Sequence, residues 1–338
     1  MNRRNHTTTA TRTARAPGVR RLAAAAGALA GAAAIAVTVA ALAPAAAMAA
    51  TATAPVNCQA LPSACGYPDA TNSGVPAGKT LLAVPAQVAK GPGWAYSAKT
   101  NEVDVTGAGA VLAGLSFTCY VNIEANNVTL NDDSITTDNY WGVALRHTTG
   151  ATVENSTIAG QNATTGEVGS AIDDVYADST GMTIKNNNIS AFKTAIQVST
   201  GLISGNYIHN PGFVTGDHTN GILDIGTTQP LTITGNTILD SLNQTDAISL
   251  DATLTGQVIA NKTITGNLIA GGGYPIYGGT DRGATISNMT ITGNRFGQGF
   301  YTLSGLYGPV AYYTTSGTAN TWTGNTYDTT GTTIPAPA

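Results

Sequence analysis

The sequence predicts an all-β chain that folds as a single-stranded right-handed parallel β-helix, a solenoid of about eight coils. Three observations support this fold class: one motif recurs at coil-length intervals, a second short apolar run follows each recurrence, and neither run is long enough for a helix. The predicted organisation is a signal peptide at 1–49, an N-terminal cap segment at 50–110, the β-helix at 111–328 and a C-terminal tail at 329–338.

The recurring motif is an alternating apolar run that ends in a polar residue, usually asparagine, followed two positions later by an aliphatic or aromatic residue. Clear copies are "LTITGNTI" (231–238) and "MTITGNRF" (289–296). The equivalent polar position is 19 to 31 residues from the next and is occupied by Asp133, Ser156, Asn187, Asn206, Asn236, Asn267, Asn294 and Asn325. Side-chain amides stacked at one corner can bond along the axis, so we expect this ladder to line one edge of the solenoid.

The second run of each repeat is short and is bounded by Gly, Asn, Thr or Ser, as in "NGILDI" (220–225) and "DAISLD" (246–251). These features are typical of buried strands. We expect one inward residue per coil to form a stacked column consisting of Val143, Ile172, Ile196, Ile222, Ile248, Ile276 and Val310.

A β-propeller or a β-sandwich is the alternative architecture. Both folds need hairpins, for which Asn-Gly or Asp-Gly turns are the strongest signal. The "TGN" sequence between the strands of the repeats does not match that pattern. Repeats of two or three strands therefore favour the solenoid, and the non-repetitive stretch 50–110 is interpreted as a cap over its first coil.

The first 49 residues have the order of a secretory signal. Six arginines and no acid occupy residues 1–21, a nearly continuous apolar run follows, and "AMA" (47–49) fits a small-residue cleavage site. An uncleaved membrane anchor is the alternative, since the run is long enough to span a bilayer. We expect a secreted protein with no membrane attachment after cleavage; Sec and twin-arginine export both remain open.

Composition restricts the partners. The chain has 15 Lys and Arg against 19 Asp and Glu, and loss of the leader would remove six arginines and no acid. Nucleic-acid binding needs clustered basic residues, so no nucleic-acid partner is expected. Export permits disulfides, but Cys58, Cys65 and Cys119 allow any one pairing, and their connectivity stays open.

Three segments carry a resemblance to a known family. "GVPAGKTL" (74–81), "CYVNIEANNVTLNDDSI" (119–135) and "GDHTNGI" (216–222) resemble secreted actinobacterial right-handed parallel β-helix repeat proteins of the pectate-lyase-like superfamily. The resemblance covers nearly the whole predicted mature chain and implies the β-helix fold. It further implies a protein that cleaves or binds glycans, which is an inference from fold alone.

The sequence departs from the catalytic patterns of that superfamily. Polygalacturonase-like enzymes resemble an "NTD…DD…GHG…RxK" order, whereas here Asn220 stands at the place of the acid, "DD" (173–174) precedes it, and neither GHG nor RxK occurs. Pectate-lyase-like enzymes have acidic calcium ligands with a basic residue nearby. No matching arrangement is recognisable in this sequence. No catalytic residue is therefore carried over from the family.

The segment "GDHTNGI" (216–222) is nevertheless the best candidate for a site. It follows the longest connection of its coil and leads into a second-run strand, where Asn220 should stack on Asp246 of the next coil. Asp173 should face outward two coils earlier, and Asp217 and His218 should overhang the row. The predicted catalytic residues are Asp217, His218, Asp246 and Asp173; capping of a turn by Asp217, His218 and Asn220 is the alternative.

The chemistry that fits is glycan cleavage. A hydrolase needs two carboxyl groups about 5–9.5 Å apart, one protonated and one ionised. A lyase would use His218 as the base and calcium held by Asp173, Asp217 and Asp246. Calcium is thus a candidate cofactor, although no metal ligand is assigned. The predicted substrate-binding residues are Asn220, Lys193, Arg146, Tyr274 and Tyr277.

Two further expectations follow. Asp224 should point into the core by strand alternation, which requires a partner or a bulge, so it is left out of the site together with Asp251. We expect a monomer that acts on a polysaccharide or cell-wall glycan, as a hydrolase or a lyase. The alternatives are a non-catalytic glycan-binding β-helix and a structural surface protein.

Overall fold

The computed structural model describes residues 57–161 and 168–337, mainly as short strands in three sheets. The predicted signal peptide lies outside these residues. Two 3₁₀ turns are present, Pro62–Cys65 and Asp281–Gly283. No helix within the described part of the chain is long and apolar enough to cross a membrane.

Each sheet contains one strand from every coil. Sheet I has ten strands: Leu82–Val84, Leu115–Phe117, Ser134–Thr137, Thr157–Gly160, Asn188–Ser190, Tyr207–His209, Thr237–Asp240, Leu268–Gly271, Arg295–Phe296 and Thr326–Tyr327. Sheet II has eleven: Lys90–Gly91, Trp94–Ser97, Glu102–Val105, Tyr120–Ile123, Trp141–Leu145, Ser170–Asp174, Thr194–Gln197, Thr219–Asp224, Thr245–Leu250, Ile276–Tyr277 and Val310–Ala311. Sheet III has nine: Val111–Ala113, Thr129–Asn131, Thr152–Glu154, Thr183–Lys185, Gly201–Ser204, Leu231–Thr234, Val258–Thr265, Thr285–Thr292 and Thr321–Thr323.

From residue 111 onward the chain passes through sheets III, I and II in turn and completes eight such coils. All pairings between successive coils are parallel; the antiparallel pairings join the strands between Lys90 and Val105. The predicted parallel β-helix of about eight coils is confirmed. Its short β-branched strands each return to the same sheet one coil later, as the motif spacing requires.

The predicted inward column is also confirmed. Val143 pairs with Ile172, and the register continues through every predicted member to Val310. The members from Val143 to Ile276 are fully buried. Stacked aliphatic residues of similar size contact one another from coil to coil, and their burial stabilises the solenoid.

The polar ladder stacks at the corner between sheets III and I. All eight members are fully buried. The Asn236 side chain is typical: its Oδ1 accepts the backbone N–H of Asn206 at 2.9 Å, and its Nδ2 donates to Asn267 Oδ1 at 2.9 Å and to the Ile203 carbonyl at 3.0 Å. The ladder thus satisfies backbone groups that the sharp corner leaves without a strand partner.

The residue before each later ladder asparagine has a left-handed backbone. Gly235 and Gly266 both have φ of 63°. Glycine adopts this conformation without steric strain, so the two residues of the "GN" pair have different roles at the corner. Glycine makes the bend, and asparagine saturates its hydrogen bonds.

Replacing Asn236 by alanine should therefore lower the free energy of unfolding by about 1–3 kcal/mol, because the Asn206 N–H and the Ile203 carbonyl would stay buried without partners. Chemical denaturation of the purified protein measures the change. Asn243→Ala, at an exposed position, is the matched control and should stay within about 0.5 kcal/mol of wild type. Equal effects of the two substitutions would contradict the role assigned to the ladder.

The segment predicted as a cap has two parts. Residues 57–81 run along the outer side of sheet I: Gln59 N donates to Asp328 Oδ2 at 2.8 Å near the last coil, and Gly74 N donates to the Asn186 carbonyl at 2.8 Å near the middle. The chain then adds the strand Leu82–Val84 to the beginning of sheet I. The sequence indicated a cap because this segment lacks the repeat, but only its second part covers the end of the solenoid.

The cysteine pairing is now defined. Cys58 and Cys65 form a disulfide within the segment along sheet I. Cys119 is a free thiol, and burial raises its pKa to about 11. The thiol therefore packs as a small apolar group near the first coil.

The C-terminal tail packs onto the last coil. Ile334 is 3% exposed, and its carbonyl accepts the indole N–H of Trp322 at 2.9 Å. The sequence predicted these residues only as a C-terminal tail after the last coil. Its single isoleucine, however, covers apolar surface that the open end of the solenoid would otherwise expose.

Asp224 points into the core, as strand alternation predicted. Its Oδ2 lies 2.9 Å from the ammonium of Lys262 in sheet III, and the two side chains are 0% and 1% exposed. Burial raises the pKa of Asp224 and lowers that of Lys262. The ion pair links sheets II and III inside the solenoid.

Candidate functional site

The predicted stack of Asn220 on Asp246 exists. Asn220 pairs with Asp246 in the register of sheet II, and Thr194 occupies the same row one coil earlier. The row does not form the exposed face of a groove, since Asn220 is 8% and Asp246 0% exposed. Both side chains nevertheless line the same cleft as Ser249, because Gly221, the residue after Asn220, is the one that faces Ile238 in the core.

Asp246 is a buried carboxyl group. Its pKa is raised well above the ordinary value, first by burial and second by the charge of Asp240, while the nearby Ser249 hydroxyl opposes the shift. Asp246 therefore stays protonated to higher pH than an exposed aspartate. It lies at the floor of a cleft, where a neutral carboxyl is a hydrogen-bond donor.

Asp240, which the sequence did not single out, is the charged neighbour that raises the pKa of this carboxyl. It ends a sheet I strand, and its oxygens accept hydrogen bonds from Thr219 Oγ1 at 2.8 Å and from Leu242 N at 3.0 Å. Burial raises its pKa to about 7. The available signal was a lone aspartate at the end of the apolar run "TILD" (237–240), six residues before Asp246.

Above Asp246 is a cleft of about 780 Å³, within the size range of small-ligand sites. Its lining includes Asn220 and His218 from the predicted segment. The remaining polar and aromatic groups come from the last coils of sheet II and the connections after them: Asn243, Gln244, Thr245, Asp246, Ser249, Asp251, Tyr277, Asp281, Arg282, Tyr307 and Tyr312. "GDHTNGI" thus contributes one edge of the cleft.

Two further carboxyl groups meet in this cleft. The pKa of Asp251 is raised to about 6, first by burial and next by a hydrogen bond with the carboxyl of Asp281. Asp281 Oδ1 also accepts the backbone N–H of Ala252 at 3.2 Å, and the neighbouring Arg282 counters the shift. Asp251 therefore keeps its proton to higher pH than an exposed aspartate, and it lies beside a second carboxyl group.

Tyrosines form the wall of the cleft. Tyr277 and Tyr312 stack with ring centroids 5.5 Å apart, and Tyr307 is 66% exposed. Tyr274 packs behind them, with its ring 5.7 Å from Tyr277 and 5.8 Å from Tyr307. Burial and the charge of Asp246 raise the pKa of Tyr277 to about 12, so its hydroxyl remains a donor. Of the two predicted tyrosines, Tyr277 lines the cleft and Tyr274 supports it.

Asp217 and Lys193 meet outside the lining. Asp217 Oδ2 accepts the backbone N–H of Val214 at 2.9 Å, and Oδ1 lies 3.6 Å from Lys193 Nζ. His218 turns the other way, with Nδ1 3.1 Å from Thr245 Oγ1 at the edge of the cleft. Asp217 therefore closes the turn of its loop, and His218 alone of this pair reaches the cleft.

Asp173 and Arg146 lie on earlier coils. Asp173 accepts hydrogen bonds from Trp141 Nε1 and Gln197 Nε2, both at 3.0 Å, and burial raises its pKa. Four coil steps separate it from Tyr277 in the register of sheet II, about 19 Å at 4.8 Å per step. The four predicted catalytic residues therefore do not form a single cluster.

The candidate calcium ligands are likewise separated. Asp173 binds Trp141 and Gln197, Asp217 lies beside Lys193, and Asp246 is buried below the cleft. Within residues 57–161 and 168–337, no group of three or more His, Cys, Asp or Glu is placed to hold a metal ion. The calcium hypothesis thus gains no ligand set from the described part of the chain.

Comparison with known proteins adds little to this description. No family model matches the chain, and no curated protein matches it. A solved structure, the catalytic domain of Agl-KA, is similar over 56% of this chain with a TM-score of 0.36 and 15% sequence identity. The match covers 37% of that protein's chain. The functional argument therefore depends on the cleft itself.

Proposed function

We propose that this protein is a glycoside hydrolase that cleaves a neutral polysaccharide in the cleft of sheet II. One observation carries the proposal: Asp251, whose pKa is raised to about 6, contacts Asp281 in a cleft walled by Tyr277, Tyr307 and Tyr312. Acid–base chemistry and sugar-stacking surfaces thus occupy the same place.

Hydrolysis of a glycosidic bond requires one proton donor and one carboxylate. Asp251 gives its proton to the leaving oxygen as the bond to the anomeric carbon breaks, and ionised Asp281 takes a proton from the water that attacks that carbon. Glycoside hydrolases hold these groups about 5–9.5 Å apart. The two carboxyls are in closer contact, so a bound sugar and its water have to enter between them.

The charges of the cleft favour a neutral substrate. Arg282 lies 3.6 Å from the carboxyl of Asp281 and interacts with that of Asp251. The charge of this arginine is therefore already engaged, and the cleft offers little net attraction for a uronate. Tyrosine rings bind the apolar faces of sugars without any need for charge, and their hydroxyls bond to sugar oxygens.

A non-catalytic glycan-binding protein is the second candidate. Its support is the exposure of the tyrosine wall, with Tyr307 66% and Tyr312 52% exposed. Exposed aromatic rings at one end of a rigid solenoid suffice for binding, with no need for the carboxyl pair.

Export to the cell exterior is part of the proposal. The order of residues in 1–49 supports it, and the Cys58–Cys65 disulfide is of the kind that persists in oxidising compartments. Mass spectrometry of the protein from culture medium should find an N-terminus near residue 50. An intact leader on the exported protein would contradict cleavage.

The test is a product screen with the purified protein on neutral and uronic-acid polysaccharides, with calcium and with a chelator. Wild type should release new reducing ends from a neutral polymer without the absorbance of unsaturated sugars. Asp251→Asn should reduce the rate by about 100-fold or more, because the amide cannot donate the acidic proton. Glu154→Gln, at an ion pair with Lys185 on sheet III, is the matched control and should keep full activity.

The other outcomes separate the alternatives. Unsaturated products that depend on calcium would identify a lyase and overturn the hydrolase. Retention on a polysaccharide by both wild type and Asp251→Asn, with no product from either, would leave the binding protein as the function.

A further inference from the structure

Sheet II carries a second aromatic surface, remote from the cleft, which we call the aromatic–arginine patch: Trp141, Arg146 and Tyr176. The guanidinium carbon of Arg146 lies 5.1 Å from the Trp141 ring centroid and 5.6 Å from that of Tyr176. Arg146 therefore sits between two rings, held by cation–π contacts. Tyr176 is 52% exposed, so the patch opens to solvent.

Polar contacts fix the patch in one conformation. Arg146 Nε donates to Asn122 Oδ1 at 2.7 Å and Nη1 donates to Tyr176 Oη at 3.2 Å. The Trp141 indole N–H donates to Asp173 Oδ2 at 3.0 Å. Rings held by such contacts lose little freedom on binding, which is the property of a preformed binding surface. The cleft chemistry uses none of these side chains.

The patch and the cleft lie along the same sheet. Asp173 is aligned through Gln197, Leu223 and Ser249 with Tyr277 of the cleft wall. Trp141 is on the strand before Asp173, so five strand spacings, about 24 Å, separate the two aromatic surfaces. A pyranose unit of an extended glycan is about as long as one strand spacing. One chain of about six sugars thus spans from the patch to the cleft.

We propose that the aromatic–arginine patch is a distal sugar-binding subsite for the polysaccharide cleaved in the cleft, which makes long chains the preferred substrates. The inference rests on the proposed function, since it concerns the length of the same polysaccharide and a second surface that binds it. Tyr176 is held in place by a stack on His147, with ring centroids 4.4 Å apart. Trp141 contacts the apolar face of a sugar ring, and the Tyr176 hydroxyl and the remaining Arg146 N–H groups bond to the sugar hydroxyls.

The surroundings of Arg146 keep the subsite selective for neutral sugars. Asp173 lies close enough to Arg146 for their charges to interact, and Asn122, which binds Arg146, also binds Glu124 at 3.1 Å. These acidic neighbours partly offset the arginine charge, so Arg146 offers hydrogen-bond donors with a reduced attraction for a uronate.

Trp141 also supplies the signal for the experiment. The chain has three tryptophans; Trp94 is 7% exposed in the N-terminal segment, and Trp322 packs 6.1 Å from Phe296 in the last coil. Intrinsic fluorescence is titrated with disaccharides and hexasaccharides of glucose, mannose, xylose and galactose. The proteins are wild type, Trp141→Ala, Trp141→Phe, Tyr176→Ala and Asp251→Asn.

Wild type should bind at least one hexasaccharide about ten-fold more tightly than its disaccharide, with a change in fluorescence. Tyr176→Ala, which removes an exposed ring, and Trp141→Ala should abolish this length advantage. Binding and hydrolysis of the disaccharide should stay unchanged in both variants. Trp141→Phe should keep much of the advantage but lose the fluorescence change. Asp251→Asn should bind like wild type.

Equal affinity for both lengths, or a length advantage that survives Trp141→Ala and Tyr176→Ala, would overturn the inference. In that case hydrolysis by wild type and its loss in Asp251→Asn would leave the proposed function intact. No binding of any of the eight sugars and no hydrolysis would overturn both together.

Discussion

Replacing Lys262 by methionine is expected to lower the free energy of unfolding by about 3–5 kcal/mol, because a buried carboxylate would lose its counter-ion. Lys262 is 1% exposed, and its ammonium reaches Asp224 Oδ2 at 2.9 Å. It also donates to the carbonyls of Ser199 and Gln229, both at 3.0 Å. Methionine fills similar volume but returns none of these bonds, and Asp224 would have to be protonated or hydrated inside the core.

Denaturant unfolding at neutral pH measures the effect, and two variants make the interpretation specific. Lys185→Met removes the exposed pair with Glu154 and should cost no more than about 1 kcal/mol. The double variant Lys262→Met/Asp224→Leu should regain much of the loss, since it leaves no unpaired charge. A Lys262→Met effect as small as that of Lys185→Met would show that the buried pair does not support the fold.

The sequence predicted the fold well because its signals are local and repeated. Ile196, Ile222 and Ile248 occupy equivalent places in successive motifs, and so do Asn236 and Asn267. Each coil therefore repeats the evidence for the same inward and corner positions. Even the inward direction of Asp224 follows from alternation. Its partner could not be predicted from the sequence, because Lys262 lies 38 positions away on another sheet and no spacing rule links the two residues.

The site was predicted less well, and the reasons are physical. The stacking of Asn220 on Asp246 followed from register, but their burial was missed because it depends on neighbouring side chains that the register does not reveal. Asp251 and Asp281 become a pair only when a connection brings a 3₁₀ turn beside the preceding coil. Such contacts between connections have no period in the sequence. The tyrosines were found because aromatic residues concentrate in the last coils.

The stability of the protein should fall as pH rises from about 4 to about 7, which is the reverse of the usual acid denaturation. Asp240 is 2% exposed, and burial raises its pKa from the ordinary 3.8 to about 7. A raised folded-state pKa means that the native protein binds the proton more tightly than the unfolded chain. The resulting stability is fully present below the unfolded pKa and is lost as pH passes through the folded one.

The size of the effect follows from the shift in Asp240. A change of about three pKa units corresponds to about 4 kcal/mol between the two ends of the window. Asp133, whose pKa burial also raises to about 7, acts in the same direction. Asp69, whose pKa is lowered to about 2, loses its contribution only below pH 4 and does not mask the trend.

Urea unfolding at intervals from pH 4.5 to 8 tests this, with the midpoint expected to be highest at the acid end. Asp240→Asn should flatten the profile, because an amide resembles the protonated carboxyl in shape and has no proton to lose. Asp138→Asn, at an exposed position, should leave the slope unchanged. A stability that rises with pH in wild type, or a slope that Asp240→Asn does not reduce, would mean that this carboxyl ionises in the folded state with little penalty.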